Sequence, residues 1–291
     1  MRFAYLIIAH DSLELLKELI KALDAPENDL FIHLDRKLGK MDDRSFSVLA
    51  KSSKVTFIKK RISVSWGRVS VVEATLNLLA ESVKGYYDYY HLLSGVDFPI
   101  KSNKYIHDFF QRNEGREFVG FIHHWDSVIQ RRVSYYHLIG GNLERKHTYA
   151  RKTGSLLLRT QRRLHIYRHR PGYVFKGGPQ WFSITHDLAT ALLRDKDAIL
   201  SRYKYVGIPD ELFLQTFIHS KPLFRERIYN ADDAYMGCLR KIDWTRGKPY
   251  TWQSADYDEL ISSPHLWARK FSESDMDIVK RLARHIRTQT Y

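Results

Sequence analysis

The N-terminal part of the chain alternates short apolar runs with segments of helical periodicity, and this alternation restricts the possible folds more than any other feature. Apolar, β-rich runs cover residues 3–9, 30–34, 55–58 and 89–93, and helical spacing of apolar residues covers 11–23 and 68–82. Strands that alternate with helices are typical of a mostly parallel sheet covered by helices on both faces. The sequence therefore predicts an α/β fold with a central, mostly parallel sheet flanked by helices.

The rest of the sequence predicts further helices and one more strand, which are spaced more widely. A basic amphipathic helix is expected over roughly 155–168, a strand over 180–184, and helices over 187–193, 210–218 and 276–286. The chain has 291 residues and shows no internal repeat, low-complexity tract or obvious linker. This length suits one large domain or two closely packed ones, and a single domain over 1–291 is the prediction.

The N-terminus, Met1-Arg2 followed by the apolar residues 3–9, resembles a short signal peptide. However, the apolar run stops at His10-Asp11 without a small-residue cleavage site and continues into an amphipathic pattern. We therefore assign 3–9 to the first strand. No apolar run in the sequence approaches the roughly 18–20 residues that span a bilayer.

Charge and cysteine content limit the partners and the compartment. The chain carries 47 Lys and Arg against 33 Asp and Glu, a net charge of +14. An anionic partner is therefore expected. Nucleic acid, a membrane surface and a phosphorylated small substrate are the three candidates. Cys238 is the single cysteine, which excludes an intrachain disulfide and a cysteine-based structural zinc site and fits a reducing compartment.

Charged and polar residues follow three of the predicted strands. They are His10 after the first strand, residues 35–37 (Asp-Arg-Lys) after the second, and residues 94–97 (Ser-Gly-Val-Asp) after the fourth. In sheets of this kind ligands bind beyond the carboxyl ends of the strands, so these residues are candidates for a binding crevice. The alternative for each of them is a helix cap or a turn former.

Several common nucleotide and metal motifs are absent. No GxGxxG follows the first strand and no GxxxxGK[ST] occurs, which argues against dinucleotide dehydrogenases and P-loop enzymes; HExxH is also missing. The pair His123-His124 is interpreted as structural or substrate-facing, because adjacent residues of a strand face opposite ways. The Asp-x-Asp strings at 256–258 and 275–277 lie in polar, helix-forming surroundings near the C-terminus and are interpreted as chance.

The middle of the chain carries a dense run of positive charge. Its basic residues are Arg145, Lys146, Arg151, Lys152, Arg159, Arg162, Arg163, Arg168 and Arg170, with only Glu144 beside them. A basic amphipathic segment fits an anionic membrane or nucleic acid. A solvated helix face that covers the sheet is the alternative.

Two adjacent carboxylates, Asp210 and Glu211, follow Pro209 at the start of a predicted helix. A carboxylate in the first turn interacts favourably with the helix dipole. If the turn faces a cleft, one carboxylate caps the helix while the other points at a substrate. The alternative is that both are ordinary acidic residues at a helix start.

Eight blocks of the sequence form a recognisable series: AYLIIAHDSLELLKELIKAL, NDLFIHLDRK, VSWGRVSVVEATLNLL, YYHLLSGVDFPIKS, KGGPQWFSITHDLA, PDELFLQTFI, LRKIDW and LWARKF. Taken in this order, the blocks resemble the core-2/I-branching N-acetylglucosaminyltransferases, family 14 of the glycosyltransferases, which also contains the peptide xylosyltransferases. Their order and spacing run nearly end to end and make the resemblance specific, whereas the segment from about Trp125 to Arg170 matches poorly.

The resemblance implies a GT-A-type fold, in which residues 1–115 form a nucleotide-sugar-binding half and residues 116–291 an acceptor-binding and catalytic half. It also implies an inverting transfer of a sugar from a UDP-sugar to a hydroxyl of an acceptor glycan. GlcNAc is the expected sugar, with UDP-xylose or another donor as the alternative. Since the family dispenses with a metal, neither a metal nor a further cofactor is expected.

The resemblance also assigns roles by position. Glu211 in PDELF corresponds to the family's catalytic base, and Asp35 in IHLDRK corresponds to its uridine-contacting aspartate. Lys270 in LWARKF corresponds to a lysine on the diphosphate. A carboxylate such as Glu211 is suited to the role of base, because it is ionised at neutral pH.

The second diphosphate cation is less closely defined. Arg240 in LRKIDW is the best match, with Arg246 or Lys248 as alternatives because the spacing differs from that of the animal enzymes. His10 and Arg68 complete the candidates for binding the UDP-sugar.

The acceptor candidates are Asp97, Arg131, Arg132, Tyr136 and Trp181. Arg131, Arg132 and Tyr136 lie just upstream of the basic stretch, where they suit an acidic or phosphorylated acceptor. Most acceptor contacts are expected in the poorly matching middle, so the sequence leaves the acceptor and the linkage open.

The animal members are membrane-anchored Golgi proteins with several disulfides, whereas we expect neither an anchor nor a disulfide here, because the sequence has no long apolar run and no second cysteine to pair with Cys238. We expect a bacterial, cytoplasmic relative at the inner membrane face, acting on a glycan or lipid-linked glycan in surface polysaccharide or lipopolysaccharide synthesis. The basic stretch would then contact the anionic leaflet. The rival hypothesis is a basic nucleic-acid-binding protein, but helix-turn-helix, RNP-type and zinc-finger signatures are absent, so no nucleic-acid partner is expected.

Overall fold

The computed structural model describes residues 1–141, 143, 147–168 and 173–288. Within these ranges the strands are β1 (Phe3–Ala9), β2 (Asn28–Leu34), β3 (Val55–Phe57), β4 (Tyr89–Ser94), β5 (Asp97–Pro99), β6 (Phe118–Val119), β7 (Phe182–Thr185), β8 (Arg240–Ile242) and β9 (Trp267–Arg269). A six-stranded sheet has the order β3-β2-β1-β4-β7-β6, and a second sheet has the order β5-β9-β8.

Parallel pairing dominates the larger sheet. β1 pairs in parallel with β2 and with β4, and β2 pairs in parallel with β3. β7 runs antiparallel to both β4 and β6, so reversed pairing is confined to one side of the sheet. The prediction of an α/β fold with a mostly parallel sheet is confirmed.

Helices flank the larger sheet on both faces. In the described ranges they are α1 (Leu13–Leu23), α2 (Arg44–Ser47), α3 (Val69–Ser82), α4 (Asn103–Arg112), α5 (Asp126–Ser134), α6 (Thr148–Arg163), α7 (His186–Arg194), α8 (Lys196–Tyr203), α9 (Phe213–His219), α10 (Pro222–Arg225), α11 (Ala234–Cys238), α12 (Tyr257–Ser262) and α13 (Met276–Thr288). Across the described residues, no helix combines the length and the apolarity needed to cross a bilayer.

β1 lies inside the sheet and divides the core in two. Phe3, Tyr5 and Ile7 pack on the face covered by α1 and α13, whereas Leu6 and Ile8 pack on the face covered by α3. Successive side chains of a strand point to opposite faces, so a strand buried on both faces needs an unbroken apolar run. Full burial of each such side chain contributes about 1.5–3 kcal/mol.

The basic helix differs from its predicted bounds of 155–168. It runs over Thr148–Arg163, because the small residues Ala150 and Gly154 pack inward and extend the buried face beyond the large aliphatic residues that defined the prediction. It ends earlier than predicted, since His165 adopts a left-handed backbone conformation with φ of 53°.

The helix predicted over 210–218 is divided in two. A 3₁₀ turn covers Pro209–Glu211, and α9 begins only at Phe213 because Leu212 has a non-helical backbone with φ of −131°. Glu211 therefore lies in a tight turn before the helix rather than within it.

The carboxyl ends of β1, β2 and β4 meet at one edge of the larger sheet. Asp35 N donates to Ala9 O at 2.8 Å, and Gly95 N donates to Ile8 O at 3.0 Å. The residues that follow these three strands therefore share one edge, as their positions after the predicted strands implied.

The smaller sheet brings together strands that are far apart in the sequence. β5 follows β4 after a short turn and pairs antiparallel with β9, which places Asp97 opposite Arg269. β8 pairs in parallel with β9. Strands from 1–115 and from 116–291 thus contribute to both sheets.

Backbones approach closely where Gly120 and Gly178 meet. A Cβ atom on Gly120 would lie 2.0 Å from Ala234 O, and one on Gly178 would lie 2.1 Å from Gly120 O. No side chain fits at such distances, so both positions require glycine. The contact holds the segment before β7 against the end of β6 and the start of α11.

Replacing Gly120 with alanine is expected to destabilise the fold, because the obstructing atom is a backbone carbonyl that cannot rotate away. Overpacking typically costs about 1–3 kcal/mol. Gly140→Ala is the matched control, since among the described residues its added Cβ would meet only the flexible Arg68 side chain, at 3.5 Å. Urea unfolding measures both, and equal stability of the two variants would contradict the close approach.

Candidate active site

Glu211 stands in a turn that the backbone holds at both ends. Ile208 N donates to Gly67 O at 3.1 Å, and Gly178 N donates to Glu211 O at 3.0 Å. Ile208 adopts a left-handed φ of 48°, which turns the chain sharply before Pro209. The position of the Glu211 backbone is therefore fixed by two neighbouring loops.

The Glu211 carboxylate pairs with Arg132 of α5. Arg132 Nη1 lies 2.8 Å from Glu211 Oε2, and the two side chains are 16% and 28% exposed. The Arg132 guanidinium also lies over the Trp125 ring, 4.9 Å from its centroid. Glu211 Oε1 accepts no hydrogen bond from the described residues. One carboxylate oxygen is thus held in place while the other is available to a ligand.

The two neighbouring carboxyls titrate differently. Burial raises the pKa of Glu211, and the Arg132 guanidinium opposes that shift. Burial raises the pKa of Asp210 to about 7, with a further contribution from the charge of Glu211. Asp210 Oδ1 has no hydrogen-bond partner among the described residues. Asp210 therefore binds a proton close to neutrality, which favours the ionised form of Glu211 beside it.

A second polar group lies where β4 and β9 end. Asp97 accepts hydrogen bonds from Ser94 N and Ser94 Oγ, both at 2.8 Å, and pairs with Arg269 Nη1 at 2.7 Å. The Arg269 guanidinium lies over the Trp181 ring, 4.5 Å from its centroid. Asp97 is fully buried among these protein groups and orients Arg269. The acceptor contacts expected of Asp97 and Trp181 stay predictions.

Asp35 is buried at the end of β2 and braces the loop that follows. Its Oδ1 accepts from Lys37 N at 2.8 Å, and its Oδ2 accepts from Val64 N at 3.1 Å. Lys37 Nζ lies 3.3 Å from Oδ2. Asp35 thus stands at the predicted crevice, and its contact with uridine stays a prediction.

Arg240 is fully buried beneath the crevice. Its guanidinium donates to Cys238 O at 2.7 Å, Leu92 O at 3.0 Å and Phe182 O at 3.3 Å. It also lies over the Trp267 ring, 4.0 Å from the centroid. Burial lowers the pKa of Arg240 to about 10. The predicted contact with a diphosphate would require this guanidinium to leave the three carbonyls.

The alternatives to Arg240 differ in whether their charged groups are already in ion pairs. Arg246 pairs with three carboxylates, those of Asp243, Asp256 and Glu259. In the described structure, the ammonium groups of Lys248 and Lys270 form no ion pair, and the Lys270 backbone is held between Tyr250 and Trp252. The two lysines are therefore the cations here that are free to meet a diphosphate.

Two further donor candidates lie at the rim. His10 is exposed, with Nε2 3.2 Å from Asp11 Oδ2. Arg68 Nη1 donates to His137 O, which ties the loop before α3 to the chain after α5. Their contacts with a UDP-sugar stay predictions.

The acceptor candidates on α5 divide between two sides of the helix. Arg132 faces Glu211, whereas Arg131 lines a separate cleft. Tyr136 follows α5, and its backbone N and O are both hydrogen-bonded by the Gln161 side chain, at 2.8 and 3.0 Å.

Much of the basic stretch is exposed on α6. Tyr149 and Leu156 are 71% and 61% exposed on this helix, among exposed arginines and lysines. Arg145, Lys146 and Arg170 lie outside the described residues. Contact of this stretch with a membrane stays a prediction.

The other residues considered for metal chemistry have structural partners. His123 Nε2 lies 2.6 Å from Ala231 O, and Asp256 Oδ1 lies 2.7 Å from Arg246 Nη1. Asp275 accepts hydrogen bonds from Ser254. The expectation that no metal takes part stays a prediction.

Sequence reasoning missed Arg269 and Trp125, which hold the site from either side. Arg269 directly precedes Lys270 in the block LWARKF, so the block carried the signal for it. Trp125 had no such signal. It begins the segment in which we found little resemblance, and its role depends on the contact of its ring with the Arg132 guanidinium, which the sequence does not show.

Comparison with known proteins identifies the family. The model of the Core-2/I-Branching enzyme family matches residues 3–265. The chain belongs to this family of glycosyltransferases. The resemblance carried by the sequence blocks is thereby confirmed.

Individual relatives are distant. Xylosyltransferase 2 of the dog, Canis lupus familiaris, is 22% identical over 311 residues, which cover 98% of this chain and 34% of the relative. The human N-acetyllactosaminide beta-1,6-N-acetylglucosaminyl-transferase is 26% identical over 286 residues, covering 92% of this chain and 67% of the relative. The chain thus spans about a third of the xylosyltransferases that it matches. Mouse xyloside xylosyltransferase 1 in its apo form aligns with a TM-score of 0.33 at 11% identity, over 92% of this chain and 97% of that one.

The buried carboxyl of Asp210 makes stability depend on pH. Burial raises its pKa to about 7 in the folded chain, against an ordinary value of 3.8, so the folded state binds the proton more tightly. The associated stability is present below about pH 4 and is lost as the pH rises through about 7. Asparagine does not ionise, so Asp210→Asn does not lose this stability as the pH rises. The unfolding free energy of the variant minus that of the parent is therefore expected to rise from about pH 4 to about pH 8.

Urea unfolding at several pH values tests this expectation. Glu117 has a pKa of about 7 through burial and contributes to the profile of both proteins, so only the difference between variant and parent is informative. Exposed Glu114→Gln is the control for removing one acidic group. A difference for Asp210→Asn that does not change with pH would show that folding leaves the pKa of Asp210 unchanged.

Proposed function

We propose that this chain is an inverting glycosyltransferase that moves a sugar from a UDP-sugar to a hydroxyl of an acceptor glycan without a metal, with Glu211 as the general base. The observation that carries the proposal is the half-buried Glu211 carboxylate, held at one oxygen by Arg132 and open at the other. Membership of the Core-2/I-Branching enzyme family supports the class of reaction and disfavours the nucleic-acid alternative.

The reaction follows from this geometry. Glu211 Oε1 accepts the proton of the acceptor hydroxyl as that oxygen attacks the anomeric carbon. The new glycosidic bond forms while the bond from the anomeric carbon to the diphosphate oxygen breaks, and UDP leaves with the electron pair. Attack from the face opposite UDP inverts the anomeric configuration. Arg132 keeps the base ionised in its buried position and fixes its orientation.

UDP gains negative charge as it leaves, and fixed cations can stabilise that charge. Lys270 suits this role because it follows β9 directly and forms no ion pair with the described residues. Lys248 is the second candidate on the same grounds, whereas Arg246 is already paired with three carboxylates.

GlcNAc is the proposed sugar and xylose the alternative. The human relative is named as an N-acetylglucosaminyl-transferase and aligns over two thirds of its length, whereas the relatives named xylosyltransferase 2 align over a third. Turnover of UDP-GlcNAc against UDP-xylose separates the two donors.

Glu211→Gln is expected to abolish transfer, because the amide keeps the shape of the side chain but cannot accept the proton. General base catalysis contributes roughly 10²–10⁴-fold to rate. Affinity for UDP, measured by calorimetry, is expected to stay within a few-fold of the parent, since the base does not hold the donor. The exposed Glu114→Gln is the control and should keep parental activity. Transfer by Glu211→Gln near the parental rate would remove Glu211 from the role of base.

Lys270→Ala is expected to weaken both UDP binding and turnover. Loss of one group that stabilises developing charge typically lowers kcat by about 10²–10³-fold. Lys270→Arg should recover part of this loss, because it keeps the charge. UDP binding by the parent is expected to survive EDTA. Binding that disappears in EDTA would show that a metal holds the diphosphate, and unchanged binding and turnover in Lys270→Ala would exclude Lys270 as its contact.

A further inference from the structure

A cleft of about 550 Å³ lies on the side of α5 away from Glu211. One wall is a face of α5 formed by Ser127, Gln130, Arg131 and Ser134. The other wall is made by Arg162 of α6, with Tyr135 and Tyr167 beside it. None of these seven residues takes part in the proposed reaction, and of them Arg131 alone was an acceptor candidate from the sequence.

The α5 wall is a regular helix face. Its four residues occupy positions i, i+3, i+4 and i+7, which lie on one side of an α-helix. Arg132, the next residue along, points to Glu211 instead. A single helix therefore separates the cleft from the proposed base, and the diameter of a helix with its side chains is about 10–12 Å.

Hydrogen bonds hold the walls of the cleft in place. The buried Gln161 side chain of α6 bonds the backbone N and O of Tyr136, just after α5. Arg168 N donates to Ser134 O at 2.8 Å, and Arg168 Nε donates to Val133 O at 3.1 Å. The backbone that carries the walls is therefore held in place without a ligand, which lowers the entropic cost of binding.

The cleft carries positive charge that no acidic residue neutralises within the part of the chain that the structure describes. Among the described residues, the guanidinium groups of Arg131 and Arg162 have no carboxylate partner. The segment 127–186 has twelve Lys and Arg against one acidic residue, Glu144, so it holds eleven of the fourteen net positive charges. Two unpaired guanidinium groups that face one cavity attract an anion, and each can grip a phosphate or a carboxylate with two parallel bonds.

The rest of the lining suits a sugar. The rings of Tyr135 and Tyr167 lie with centroids 5.8 Å apart and 34° between planes, which gives the cleft an apolar surface. Ser127, Gln130 and Ser134 offer hydroxyl and amide groups for hydrogen bonds with hydroxyl groups. Aromatic surface, short polar side chains and arginines together fit a sugar that bears an anionic group.

We propose that this cleft is an acceptor subsite that binds a phosphate- or carboxylate-bearing sugar, one helix diameter from the hydroxyl that Glu211 deprotonates. The assignment of the cleft as an acceptor subsite rests on the proposed function. The binding of an anionic sugar in the cleft does not depend on that function. The acceptor is then an anionic glycan longer than one sugar, because its charged unit and its attacked hydroxyl lie on opposite sides of α5.

Calorimetric titration of the full chain with glucose 6-phosphate, galacturonic acid and glucose tests the subsite without UDP-sugar or turnover. Both anionic sugars are expected to bind, and more tightly than glucose. Arg131→Ala and Arg162→Ala should each lower the affinity for glucose 6-phosphate roughly tenfold, the usual loss for one charge-assisted hydrogen bond. Arg163→Ala is the matched control, because it removes a neighbouring exposed arginine of α6 that does not line the cleft.

The outcomes separate this site from its alternatives. Equal weakening by Arg163→Ala, or unchanged binding in the Arg131→Ala/Arg162→Ala double variant, would overturn the subsite. Vesicles of phosphatidylcholine with phosphatidylglycerol are the second probe. Vesicle binding that the double variant loses, without binding of either anionic sugar, would assign the cleft to a lipid headgroup and overturn the sugar proposal. An inactive Glu211→Gln variant would still bind glucose 6-phosphate, so failure of the reaction and failure of the subsite are distinguishable.

Discussion

The parallel pairing of β1 with β2 and β4 is the constraint on which the site depends. β1 is buried on both faces, so a shift of one residue would exchange Tyr5 and Leu6 between two differently packed cores. With the register fixed, the three strands end together, and Asp35 and Gly95 donate from their backbones to the end of β1. A crevice at this edge follows from burial alone, before any functional residue is considered.

The second constraint is that charges at this edge are paired before they meet a ligand. Asp97 is buried with Arg269, and Glu211 is half-buried with Arg132. Burial of an unpaired carboxylate raises its pKa, as in Asp210, whereas a guanidinium opposes that shift in Glu211. Removal of Arg132 would therefore change both the position and the ionisation of the proposed base. The two arginines also lie over tryptophan rings, which restricts their rotamers further.

How much was predictable depends on the range of the interactions. The strand runs and the helices after β1 and before β4 follow from local apolar periodicity, so their bounds agree closely with the sequence. The turn at Glu211 and the length of α6 depend on tertiary packing, which periodicity does not record. Arg240 shows why the site was harder to predict than the fold. The sequence places Arg240 in a matching block but does not tell whether its side chain lies on the surface or in the core, where it is buried. Trp125 and Arg269 required knowledge of which distant residues they meet.

The segment 127–186 holds most of the net charge. A fold that needs this charge for stability would pair it with acids, as Arg246 is paired three times near the C-terminus. The arginines that line the cleft beside α5 have no such partners among the described residues. Unpaired like charges repel each other and lower stability, so their accumulation on one side of α5 needs another cause. Arg131 and Arg132, neighbours in the chain, give α5 two proposed functions, because Arg132 faces the proposed base and Arg131 faces the cleft. The shared helix thereby links the chemistry of transfer to the choice of acceptor.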